Sequence, residues 1–127
     1  MSVPFDPRHN LIVVRARLWG PVGSAVLELA LDTGSTSTLL NAGPLVALGY
    51  DPASVFERVQ VTTGSSVEFA PRVELEKIEA LEQVRTSFRV LCHTLPPSTG
   101  VDGLLGLDFM RGQKLLVDFR TGELTLS

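Results

Sequence analysis

The sequence has almost no cysteine: Cys92 stands alone among 127 residues. No internal disulfide can form, and a tetrahedral cysteine metal site cannot be assembled from one chain. Cys92 lies in an apolar run and reads as a small core residue. Basic excess is lacking too, with 11 Lys and Arg against 14 Asp and Glu and a net charge of -3 at pH 7. The cations are scattered, so nothing steers the chain onto phosphates, and nucleic acid is not an expected partner. Long apolar runs are also missing. The first ten residues carry Asp6, Arg8 and His9 and lead into only four consecutive apolar residues, shorter than a signal peptide needs. Residues 39–50 are interrupted by Asn41, Gly43, Pro44 and Gly49, well short of a membrane span. These absences favour a soluble, cytoplasmic protein with no membrane partner. His9 and His93 are the only histidines and fit no triad spacing, so surface or strand-face roles are expected. Ser35 and Ser37 lack a basic partner, which argues against a serine nucleophile.

With 44% hydrophobic residues, the chain can build one real core and is too short for two ordinary ones, so residues 1–127 are read as a single domain. Residues 11–18 end in alternation, with Val14, Ala16 and Leu18 on one face and Arg15 and Arg17 on the other, as a half-buried strand requires. Residues 20–24 supply turn chemistry, and residues 25–31 alternate again, placing Ala25, Leu27, Leu29 and Leu31 together. Further strands are expected over 38–40, 55–62, 67–69, 72–81, 86–95, 114–119 and 123–126, with an apolar segment over 101–106. The charges at Glu74, Glu76, Lys77 and Glu79 would equally suit a helix over 72–81. Pro44 and Gly49 bracket a helical turn over 45–48, and a brief helix is expected over 106–111, stopped by Gly112. Pro71 is read as closing a hairpin whose tip is Thr63, Gly64, Ser65 and Ser66. The predicted fold is a mostly β barrel or sandwich.

Asp32 stands where a buried strand ends. Its carboxylate is costly to bury alone, and Thr33-Gly34-Ser35 offers hydroxyls and a backbone open enough for N–H groups to approach it. Taken alone, the segment fits equally a loop in which Asp32 only caps a turn. Asp102 and Asp108 flank glycines later in the chain, where capping or turn roles are expected.

A second segment adds to the first. Asp32-Thr33-Gly34-Ser35 after an apolar strand, the glycine-containing hairpin Thr62, Thr63, Gly64, Ser65, Ser66, and Leu104-Leu105-Gly106 before a short helix follow one another in the order of the retropepsin-like aspartic peptidases, which this chain resembles from about residue 11 to 126. Two departures set the branch. Where retroviral members carry an Asp and an Arg that brace the site, this chain has Thr36 and Leu107, so no buried charge is orphaned. Leu104 to Asp108 looks more like the cellular members, eukaryotic and bacterial.

The resemblance implies an all-β closed barrel with a flap hairpin and one short helix near the C-terminus. It also implies a catalytic Asp32 in an active-site loop with Thr33, Gly34 and Ser35, supported by Leu104, Leu105 and Gly106, and a flap over the substrate at Thr62 to Ser66. Two carboxylates close together cannot both ionise, so a pair would share a proton and activate one water. One Asp-Thr-Gly per chain then implies a homodimer, with Thr33 reaching across its axis and the C-terminal strand pairing with its symmetry mate. The substrate would be a polypeptide, and no metal or organic cofactor is needed. Ser35 is expected to donate to the ionised Asp32. Competing readings are a catalytically weak or inactive peptide-binding or oligomerisation module on the same fold, and an unrelated ligand-binding barrel for which both motif segments are coincidence.

Overall fold

A computed structural model of the chain describes residues 1–62 and 66–127. Its strands are β1 (Val3–Pro4), β2 (Val13–Gly20), β3 (Gly23–Leu31), β4 (Leu39–Leu40), β5 (Arg58–Thr62), β6 (Val67–Ala80), β7 (Gln83–Cys92), β8 (Gly103–Leu105), β9 (Leu115–Asp118) and β10 (Glu123–Leu126). Two short helices, α1 (Ala42–Ala47) and α2 (Leu107–Met110), follow β4 and β8. Strands β2, β3, β8, β4, β7 and β6 hydrogen-bond in that order, and β6 pairs back onto β2 from Lys77 to Ala80, so the sheet closes on itself. The result is the expected closed all-β barrel.

Alternation explains how the barrel fills. Val14, Ala16 and Leu18 of β2 and Leu27 and Leu29 of β3 point inward, while Arg15, Arg17, Val26 and Glu28 face out. They meet Leu75 and Ile78 of β6, Leu105, Leu124 and the ring of Phe109, which α2 drives into the centre. A smaller apolar cluster of Leu39, Ala70 and Leu91 lies apart from this core, with Val59, Val61 and Leu104 packed against it. It seats β5 on the sheet beside β4.

Local signals misplaced several boundaries. The first strand starts at Val13 rather than residue 11, and the seventh runs from Gln83 to Cys92 rather than 86–95. The helical turn expected over 45–48 forms earlier, as α1, which makes two short helices rather than one; Pro44 sits in its first turn, where its missing N–H costs nothing. Pro71 ends the hairpin pairing of β5 with β6, opposite Arg58, as expected, but does not end the strand. It lies inside one strand of 14 residues, where β6 leaves β5, last paired at Arg58 with Pro71, and joins β7, first paired at Arg72 with Leu91. A proline is tolerated at this change of partner, since strand prolines concentrate at edges and bends. The 72–81 segment is strand, not helix: Val73, Leu75, Ile78 and Ala80 are buried and the glutamates face out, with the alternation shifted once between Leu75 and Ile78, where Glu76 and Ser87 (φ 50°) stand opposite each other in an unchanged register without a ladder pair. The freed Glu76 N–H donates to the Tyr50 hydroxyl at 2.9 Å, and that hydroxyl donates to the Trp19 carbonyl at 2.6 Å.

The C-terminal strand corrects another expectation. β10 is the middle of a three-stranded sheet, between β9 and the unforeseen β1, so much of the edge meant for a symmetry mate is taken within the chain. Leu126 O accepts a further hydrogen bond from Gln83 Nε2 at 3.1 Å. Leu124 and Leu126 are core residues, 0% and 5% exposed, so removing residues 124–127 would damage the barrel itself and not only an assembly.

The β9–β10 turn is braced by Asp118, whose carboxylate accepts the N–H groups of Arg120 at 2.8 Å and Thr121 at 3.2 Å. These bonds, that from Arg120 foremost, hold its pKa below the ordinary carboxylate value. A lowered folded-state value makes the brace fully present above the unfolded Asp pKa of about 3.9, and lost as pH falls through the folded value. Melting curves should therefore show wild type and Asp118→Ala converging only below about pH 4. A constant gap down to the most acid pH would show that the carboxylate's charge is irrelevant to the turn.

Candidate active site

Three strands meet at the site. β8 runs between β3, its parallel neighbour, and β4, its antiparallel one, so residues 32–38 form a loop that leaves β3, passes the end of β8 and returns as β4. Asp32 N–H donates to Leu105 O at 2.9 Å, which fixes the loop's first residue to Leu104-Leu105-Gly106. The two motif segments, 70 residues apart in sequence, are hydrogen-bonded neighbours.

Asp32 is half-buried, and its Oδ1 accepts the Gly34 N–H at 2.9 Å, while Ser35 N–H closes the turn onto Asp32 O at 3.1 Å. The loop thus holds the carboxylate through its own backbone. A Cβ on Gly106 would lie 2.7–2.9 Å from the backbone of Ser37 and Ser35, so only glycine allows β8 and the loop to approach this closely. Thr33, Gly34 and Thr36 are exposed on the loop's outer side.

Ser35 does not fill the expected role. Its hydroxyl donates to Ser37 O at 2.8 Å, inside the loop, and so serves loop shape instead of the carboxylate. A local carbonyl two residues on is a nearer acceptor, the usual behaviour of serine in turns.

A residue pair that sequence reasoning did not join locks the loop from behind. Thr38 is fully buried; its N–H and hydroxyl donate to the two oxygens of Asp108 at 2.9 and 2.7 Å, and Thr38 Oγ1 accepts the Gly106 N–H at 3.1 Å. Leu107 and Asp108 N–H groups donate in turn to Ser35 O at 2.8 Å and Thr36 O at 3.2 Å. Hydrogen bonds therefore join the two stretches that an ion pair braces in retroviral members. Asp102 is also engaged, its Oδ2 accepting Glu28 N–H at 2.9 Å. The capping or turn roles expected of Asp102 and Asp108 give way to long-range bonds, to Glu28 N–H and to Thr38.

Two clefts flank β5. One, of about 500 Å³, lies between residues 34–37 of the loop and residues 59–62 of β5, with Leu39, Leu91 and Arg72 completing it. The other, of about 610 Å³, shares Leu39, Val61 and Thr62 and extends to Glu68 and residues 93–97. His93 Nδ1 faces Glu68 Oε2 at 3.5 Å across it, while His9 is tied locally to Leu11. Thr62 and Ser66 are exposed; Thr63, Gly64 and Ser65, the rest of the expected flap tip, lie outside the described residues. Burial pushes the Cys92 thiol up from its ordinary value, as suits an inert core residue. No group of three or more metal-ligating side chains occurs among the described residues.

A closed barrel that presents one Asp-Thr-Gly loop next to a cleft is the arrangement of the retropepsin-like aspartic protease fold. The crystal structure of a retropepsin-like aspartic protease from Rickettsia conorii superposes with a TM-score of 0.73 at 15% identity, covering 99% of this chain and 88% of that one. The retroviral protease-like domain of Ddi1 from Leishmania major gives 0.63 at 14% identity, covering 94% and 90%. No curated protein matches the sequence. The sequence model of the aspartyl protease family matches residues 18–109, both motif segments included, and the chain belongs to that family. The unrelated ligand-binding barrel is thereby overturned.

Proposed function

We propose that the protein is an aspartic endopeptidase acting as a homodimer, in which the Asp32 carboxylates of two chains share one proton and activate a water against a peptide carbonyl. The observation that carries this reading is the half-buried Asp32 carboxylate, held by Gly34 N–H at 2.9 Å in a loop whose residues 34–37 line a cleft of about 500 Å³. Two close carboxylates split their acidities, so one serves as base on the water and the other as acid toward the carbonyl oxygen. Family membership supports the chemistry. The need for a second chain follows from the single Asp-Thr-Gly, because the other aspartates hydrogen-bonded near the loop, Asp102 and Asp108, are committed to backbone and Thr38. Exposed Thr33 is free to reach a partner's loop, and β5 with β6 would serve as the flap, its base resting on the Leu39–Leu91 cluster. The substrate is an extended polypeptide. No helix among the described residues is long and apolar enough to cross a membrane, and a lone buried thiol suits a reducing cytoplasm.

The test is a dilution series in which sedimentation and cleavage of a diverse peptide mixture are measured on the same samples. Specific activity should fall in step with the dimer fraction, and a statine-type transition-state mimic should inhibit it. A monomer that cleaves at constant specific activity would place the second carboxylate within the chain and overturn the dimer. Binding of peptides without cleavage at any concentration would leave the weak or inactive binding module as the function.

A further inference from the structure

Arg72 is the one ionisable side chain lining the cleft beside the Asp32 loop, among the described residues. Around it the walls are polar on one side, with the Ser35 to Ser37 loop and Gln60, and apolar on the other, with Val59, Val61 and Leu91. A guanidinium has five N–H donors in a planar fork. Here its Nε is buried without a hydrogen bond, and its ion contact is with Glu57 Oε2 at 3.5 Å, well beyond a charge-assisted bond of about 2.7–2.9 Å. Glu57 is half-exposed and divided, since Arg89 also approaches it at 3.4 Å; Arg89 has a second, looser contact with Glu74 at 3.9 Å. Arg72 therefore lies in a partly enclosed cleft with its hydrogen-bonding capacity unspent.

The geometry points to a specificity site: Arg72 receives the carboxylate of an aspartate or glutamate side chain of the bound peptide. This rests on the reading that the peptide lies along the Asp32 loop. A carboxylate matches the guanidinium fork with two parallel hydrogen bonds, and the nearby hydroxyls and the Gln60 amide can donate to its remaining lone pairs. An apolar side chain there would bury the fork with no acceptor, and a lysine would meet like charge. The cleft therefore selects acidic residues near the scissile bond and rejects basic ones.

The experiment uses extended peptides centred on statine, in which each flanking position carries Glu or Gln in turn, with binding to the full chain measured by fluorescence anisotropy. At one position Glu should bind about tenfold more tightly than Gln, the low end for a charge-assisted pair at a partly exposed site. Arg72→Gln should erase that preference, and Arg72→Lys should keep only part of it because an ammonium cannot form the fork. Glu57→Gln, which frees the fork from its competitor, should widen the preference; a brace between Glu57 and Arg72 would not behave this way. Thermal melts of each variant report on folding. Equal binding of Glu and Gln peptides at every position overturns the proposal, as does a uniform loss across all peptides in Arg72→Gln. The peptidase reading is judged separately by cleavage of the corresponding amide-linked peptides. A Glu preference without cleavage sinks that reading alone, and cleavage without a Glu preference sinks this one alone.

Discussion

Asp32→Asn should abolish peptide cleavage, lowering the rate by about 10²–10⁴-fold or more, while the protein melts as wild type does. The expectation follows from what an amide keeps and what it loses. Its oxygen can still accept the Gly34 N–H that now reaches Asp32 Oδ1 at 2.9 Å, and the loop is held elsewhere by backbone bonds, Asp32 N–H to Leu105 O and Leu107 N–H to Ser35 O. Nothing in those contacts needs a charge. The amide can neither take a proton from water nor share one with a second carboxylate, and in a homodimer both halves of the pair change at once. Initial rates on a peptide mixture, beside circular-dichroism melts of the same samples, decide the matter. Full residual cleavage in a well-folded Asp32→Asn protein would remove Asp32 from the chemistry.

The Asp-Thr-Gly loop and its Leu104-Leu105-Gly106 neighbour were legible in the sequence, and the Thr38–Asp108 lock behind them was not. Asp32 following a run of apolar alternation, and Leu104-Leu105-Gly106 before a helix, are local patterns whose residues announce themselves. Thr38 and Asp108 are separated by 70 residues, and each alone looks like an ordinary turn or strand residue. The available signal was Thr38 itself, a hydroxyl directly before Leu39-Leu40, which burial obliges to find a partner. Ser35 differs for the opposite reason: it is close to Asp32 in sequence, but its hydroxyl goes to the nearer Ser37 carbonyl. Turn propensity at Pro71 marks the end of the hairpin pairing, but the strand's continuation onto β7 shows only in the tertiary pairing. The two-residue β1 has no pattern of its own; it exists because β10 offers it an edge.

Asp108→Ala should be the most damaging substitution apart from those at Asp32. Both carboxylate oxygens of Asp108 accept from Thr38, and Thr38 has no exposed surface through which water could replace them. Truncation leaves a backbone N–H and a hydroxyl unpaired, each at about 1–3 kcal/mol, for a loss of about 2–6 kcal/mol in denaturant unfolding. The consequence reaches catalysis because Thr38 also receives the Gly106 N–H, and Gly106 lies against Ser35 and Ser37 with no room to spare. A loop released from this lock can shift by an ångström, which is enough to lower kcat/KM by about 10²-fold. Thr38→Ser keeps every hydrogen bond and gives up one methyl, so it should stay close to wild type in activity. Asp108→Asn should fall between, since its amide can accept from only one of the two Thr38 donors. Measured together, the three variants should rank alike in unfolding free energy and in cleavage. An Asp108→Ala protein that unfolds and cleaves as wild type does would show that the loop holds its geometry without the lock.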